Sequence, residues 1–211
     1  MALPFVWLSG GAAVLYGLVL ATRPPTPLRS LVKTAAPVLL LVGLALDRGP
    51  VLMAAALLFG AMTDYLLSRE PERRITNAVF ATYTIALALA ALHFGLRWSG
   101  LAGGAQAVAA LVIFGTALLM FVLPRIEADK RVGAAVHTVM LLILCFAAFG
   151  AEDESGYARL GAILIAARTL LHGSELAYLP WTSPYVRLSV PAVWLLSYGG
   201  WLCFVLSATA A

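Results

Sequence analysis

The chain has 211 residues, of which 62% are hydrophobic and 11% charged, with a formal net charge of +4. A soluble domain of this length has no use for so apolar a composition, and basic residues scattered along the chain, with no soluble basic face, exclude a nucleic-acid partner. The apolar segments run for about 20 residues without strict alternation, which fits membrane-spanning helices and excludes barrel strands.

The first segment, 3–21, has no basic stretch ahead of its apolar run, so it reads as a retained spanning helix and not as a cleaved signal. The second, 28–46, follows the break ATRPPTP and carries Arg29 and Lys33. Asp64 lies inside the third, 51–68, within VLMAAALLFGAMTDYLL. Segments 74–94 and 103–123 follow the breaks REPER and RWSG, and the sixth, 132–149, contains His137 and Cys145. The seventh, 158–176, places Arg168, His172 and Glu175 toward its end, and the eighth, 186–208, holds Ser197, Tyr198 and Cys203. Short polar connections make consecutive helices antiparallel. The expected fold is therefore all-α: a polytopic membrane bundle of eight transmembrane helices forming a single domain over residues 1–211.

Lys and Arg fall unevenly between the two sides. Arg23, Arg29, Arg69, Arg73, Arg74, Arg125, Lys130, Arg131 and Arg187 share one side, against Arg48, Arg97 and Arg159 on the other. The positive-inside rule puts the first set in the cytoplasm and both termini on the non-cytoplasmic side. Lys33, Asp64, His137, Arg168, His172 and Glu175 then all fall in the cytoplasmic half, at a similar depth on four helices, which points to one hydrated cavity open toward the inner leaflet.

Ionised groups inside a bilayer are expensive, about 2.5–3.5 kcal/mol each on insertion scales, so Asp64 and Arg168 mark the working site. Asp64 is read as functional, with pairing to Arg168 or Lys33 as its architectural alternative. Arg168 is a counter-ion or an anion ligand, since a guanidinium does not give up its proton. His172 shares a helix face with Arg168 at i, i+4. Lys33 either serves the cavity or snorkels to the headgroups. Glu175 reads as an interfacial cap, His137 and His93 as packing residues, and Trp98 and Trp181 as interface belt residues. The glycine pairs Gly10–Gly11, Gly103–Gly104 and Gly199–Gly200 permit close helix approach. Two cysteines within apolar helices predict neither a disulfide nor a metal site, and nothing in the sequence implies a cofactor. The chain also lacks GxSxG, HExxH and P-loop patterns.

Taken in order, LRSLVKTAAPVLLLVGLAL, LLFGAMTDYLLSREPERR, LPRIEADKRVGAAVHTVM, LGAILIAARTLL and VPAVWLLSYGGWLC resemble the YhhN-like family of eight-span membrane proteins, which includes lysoplasmalogenases. The resemblance covers almost the whole chain. Its most specific pieces are Arg29 and Lys33 on the second helix, and Thr63, Asp64, Leu66 and Leu67 on the third. Thr63 replaces the family's usual Gly, FATYTIAL offers Thr84 or a neighbour where the family has an Ala-His element, and Arg168 and Thr169 stand where it carries a second acid. Ser197 or Tyr198 matches its last-span tyrosine element. The resemblance implies a bacterial inner-membrane hydrolase that cleaves the vinyl ether of a lyso-ether phospholipid to a fatty aldehyde and a glycerophospho-head group. Asp64 would be the acid or base, and Lys33, Arg29, Arg168, His172, Thr84 and Tyr198 would bind the substrate among membrane lipids. The rival reading is a catalytically inactive lipid-binding or structural protein on the same scaffold, and it predicts Asp64 and Arg168 in direct contact.

Overall fold

The computed structural model describes residues 3–69, 76–101, 110, 113–179 and 183–210. The described secondary structure is helical, apart from one isolated antiparallel bridge between Trp98 and Ala151. The helices are α1 (Leu3–Leu15), α2 (Pro27–Leu46), α3 (Val51–Arg69), α4 (Asn77–Gly95), α5 (Ile113–Arg125), α6 (Arg131–Gly150), α7 (Tyr157–Tyr178) and α8 (Val186–Ala210). Seven of them, α1 with its extension to Leu20 and α2, α3, α4, α6, α7 and α8, are long and apolar enough to cross a membrane. The chain is an integral membrane protein. The predicted starts of the fourth and fifth spans, Arg74 and Gly103, lie outside the described residues, as do Arg73, Gly104 and Trp181.

Local chemistry sets several boundaries. Thr26, extended at φ −138°, caps α2 by accepting from the Arg29 N–H at 3.1 Å, with Pro27 in the first helical position. Thr76 does the same for α4 through Val79. Ahead of α7, the Asp153 carboxylate accepts from the Ala158 N–H at 2.6 Å. Two prolines lie inside helices, Pro37 in α2 and Pro191 in α8. Pro37 has no N–H, so it leaves the Lys33 carbonyl without its helical donor one turn away. Two helices loosen into π turns, α1 at Tyr16–Leu20 and α5 at Leu118–Val122, a widening often found at functional sites.

Packing proceeds α1–α2–α3–α4–α6–α7–α8, and α8 returns against α1, α2 and α3 to close the bundle; α5 packs on α6 and α7. The tightest approach is between α7 and α8. A Cβ on Gly161 would lie 2.6 Å from the Phe204 ring and 2.9 Å from the Gly200 carbonyl, and one on Gly200 would lie 2.6 Å from Ile165. Gly199 meets only Leu164 at 3.4 Å, and Gly11 meets nothing within 4 Å. Close approach thus uses Gly161 with Gly200, and not the sequence-adjacent pairs as units.

The interior divides by depth. Leu40, Leu44, Met53, Leu57, Phe94, Leu141, Leu144, Ile165 and Phe204 are fully buried and fill the half of the bundle formed by the ends of α2, α4, α6 and α8 and the starts of α3 and α7. At that end the loops are tied together. Ser99 N–H donates to the Gly150 carbonyl at 2.9 Å, Glu152 N–H to the Arg97 carbonyl at 2.8 Å, and Arg97 Nη2 to the Glu152 carbonyl at 2.9 Å. Trp98, expected as a belt residue, stacks on Phe146 at 4.9 Å and lies so close over Gly150 that a Cβ there would meet the ring at 2.0 Å. The outer faces carry Trp7, Leu18, Leu31, Val51, Ile113, Val132 and Leu188 exposed, as a lipid environment requires.

Candidate functional site: a two-part cleft between the helices

The other half of the bundle holds the polar residues. Lys33 on α2, Asp64 on α3, Arg168, His172 and Glu175 on α7 and Ser197 on α8 line one pocket with Tyr16, Arg29, Leu67 and Trp194; its volume is about 530 Å³. A second pocket of about 640 Å³ lies between α3, α4, α5, α6 and α7, and its walls include Leu67, Phe80, Leu118, Val122, His137 and Leu176. Leu67, Arg168 and His172 line both pockets. A charged compartment and a mainly apolar compartment therefore lie side by side, with those three side chains common to both.

Lys33 and Asp64 form an ion pair at 3.4 Å, with side chains only 10% and 12% exposed. Among the described residues no ion pair joins Arg168 to Asp64. Of the two partners that the architectural alternative offered Asp64, the structure pairs it with Lys33 and not with Arg168, and Lys33 points into the bundle instead of snorkelling. Its ammonium also stands over the rings of Tyr16, at 5.6 Å, and Trp194, at 5.5 Å. Trp194 is fixed by its own N–H, which donates to the Ala13 carbonyl at 2.9 Å. Arg29 Nη2 donates to the Tyr16 hydroxyl at 3.4 Å and the Ala21 carbonyl at 3.3 Å.

Arg168 lies with its guanidinium carbon 4.5 Å from the centre of the Tyr83 ring. The Nε atoms of both Arg29 and Arg168 are buried with no hydrogen-bond partner among the described residues. A buried donor left unsatisfied costs about 1–3 kcal/mol. Two such donors beside a lysine give the charged compartment an unmet capacity for an anion.

On α7, Arg168, His172 and Glu175 follow at i, i+4 and i+7, so they share a face. His172 Nδ1 lies 3.1 Å from Glu175 Oε2. Glu175, expected as an interfacial cap, is only 5% exposed and lines the same pocket as Asp64. Sequence reasoning placed it in the cavity half but read it as a cap, although the i+3 step from His172 was the available signal for a partner. His137 is buried, stacks on Tyr83 at 5.1 Å and lines the apolar compartment.

Two predicted binding residues sit elsewhere. Thr84 is half-buried and is not among the residues lining either pocket; its neighbour Tyr83 is the lining residue. Tyr198 bonds to Ser9 at 2.9 Å in the packing of α8 on α1, and Ser197 takes the place in the charged compartment. The Ser9 hydroxyl is held in turn on the Ala36 carbonyl at 2.6 Å. Thr63 bonds to Thr82 at 2.8 Å and so ties α3 to α4 beside Asp64. Cys145 and Cys203 are free, buried thiols.

Fold and site together define an integral membrane helical bundle with a buried, charged cleft in one half. Comparison with protein-family models, with curated proteins and with solved structures finds no match.

Proposed function

We propose that the chain is a divergent member of the lysoplasmalogenase-like family, hydrolysing the vinyl ether of a lyso-ether phospholipid to a fatty aldehyde and a glycerophospho-head group. The observation that carries this reading is the pair of adjacent compartments, one charged and one mainly apolar, that share Leu67, Arg168 and His172 as lining residues. A lysophospholipid has the same division: one chain, one charged head, and the ether bond where they meet. Arg29, Lys33 and Arg168 would take the phosphate, using the two unsatisfied Nε donors. Asp64, paired with Lys33 at 3.4 Å, would face the cationic oxocarbenium that forms when the vinyl carbon is protonated, much as paired carboxyl groups divide their roles in glycoside hydrolysis. In this reading α5 completes eight spans, both termini lie outside, and the cleft opens toward the cytoplasmic leaflet of a bacterial inner membrane.

The test is aldehyde release from a 1-alkenyl lysophosphoethanolamine by the purified protein. Turnover that is lost in Asp64→Asn supports the assignment, and an undiminished rate in that variant ends it. The second reading, a lipid-binding protein without turnover, is favoured by the ion pair that already neutralises Asp64. It predicts saturable binding of the same lipid with no aldehyde.

A further inference from the structure

We infer that His172, oriented by Glu175, is the proton donor of the cleft. This rests on the vinyl-ether reading and adds to it the donor of the first proton, at a junction that His172 lines and Asp64 does not. Three residues line both compartments, and the scissile bond joining chain to head must lie beside them. Leu67 has no proton to give, and a guanidinium does not release one. His172 is the only member of the three with a transferable proton.

Its geometry suits the role. The Glu175 carboxylate at 3.1 Å holds Nδ1, which fixes the ring and leaves Nε2 as the atom that exchanges protons, the arrangement by which a carboxylate commonly orients a working imidazole. The titratable and charged groups around it are Arg168 on its own helix, His137 on α6, Asp64 on α3, and Lys33 and Arg29 on α2. The seventh helix thus provides an acid–base pair one and two turns beyond Arg168, in place of an acid at Arg168 itself.

The cycle balances. Protonated His172 gives its Nε2 proton to the vinyl carbon distal to the oxygen, whose C–H bond takes the double-bond electrons, and an oxocarbenium ion forms. Water adds to the carbon bearing the oxygen and loses a proton to the Asp64 carboxylate, giving a hemiacetal. Asp64 then protonates the glycerol oxygen while the hemiacetal hydroxyl returns a proton to His172. The C–O bond breaks, and aldehyde and alcohol leave with both residues restored.

The test uses the full chain in detergent micelles with a 1-alkenyl lysophosphoethanolamine. His172→Gln is expected to lower kcat by about 10²- to 10⁴-fold, with KM little changed. Glu175→Gln should lower kcat less, and Glu175→Asp should recover most of that loss, as a positioning residue requires. Folded His172→Ala protein should regain turnover when imidazole is added. Wild-type kcat in His172→Gln overturns the assignment and leaves the hydrolase reading standing, as does loss in folded His172→Ala that imidazole does not restore. A wild-type protein that releases no aldehyde overturns the hydrolase reading and this inference together.

Discussion

Replacing Lys33 by Met removes the partner of a carboxylate that has little access to water. At 3.4 Å and an effective dielectric constant of about 20, the direct attraction is about 5 kcal/mol, and desolvation of both groups offsets part of it. Lys33→Met should therefore cost about 3 kcal/mol, the low end of the range for breaking a buried pair. Asp64→Asn should cost less, about 1.5 kcal/mol, because the abandoned ammonium still has the faces of Tyr16 and Trp194. The double variant should lose less than the sum of the two single losses, by a coupling of about 2 kcal/mol. Thermal unfolding in detergent reads these values directly: for a chain of this length, 3 kcal/mol lowers the midpoint by roughly 6–12 °C. Strict additivity in the double variant would refute the pairing, and so would a Lys33→Met midpoint equal to that of the wild type.

Gly161→Ala should destabilise by about 1–3 kcal/mol through overlap with Phe204, whereas Gly199→Ala, whose Cβ would meet only Leu164 at 3.4 Å, should stay within about 0.5 kcal/mol of wild type; equal midpoints for the two would contradict the α7–α8 packing. Tyr83→Leu removes the ring beneath Arg168 and should lower stability by about 1–2 kcal/mol, while Tyr83→Phe, which keeps that ring, should cost less. Asp153 gives a pH dependence. Burial pushes its carboxyl up, but hydrogen bonds from Ser155 and Ala158 outweigh that and hold it below its ordinary 3.8. A depressed folded value means the contribution is complete above the unfolded value and is lost as pH falls through the folded one. Asp153→Ala should accordingly cost about 1 kcal/mol near neutral pH, and its gap from wild type in denaturation curves should close only in strong acid.

Hydropathy made the spans legible because each needs about 20 apolar residues. The rise of 1.5 Å per residue also made the depth of Lys33, Asp64, Arg168 and His172 legible, so their gathering in one half of the bundle followed from counting. Rotation did not follow. Neighbouring residues on a helix point about 100° apart, which is the whole difference between Tyr83 and Thr84, or between Ser197 in the cleft and Tyr198 on Ser9. The same angle separates Gly199 from Gly200, so a Cβ on Gly200 would press on Ile165 at 2.6 Å while one on Gly199 would make an ordinary contact with Leu164. The order of neighbours was equally hidden: nothing along the chain says that α2 brings Lys33 to Asp64 before α7 brings Arg168. Glu175 was misread because a carboxylate near a helix end looks like a cap until the helix is seen to continue to Tyr178 with that carboxylate buried beside His172.

Trp194 is pinned at one edge by the Ala13 carbonyl and faced by the Lys33 ammonium at 5.5 Å. Indole emission follows the electric field along the ring, so this side chain is a colour gauge built into the cleft. An arriving phosphate that draws Lys33 away, or the loss of charge on Asp64, would shift the protein's own fluorescence and announce occupancy with no added label.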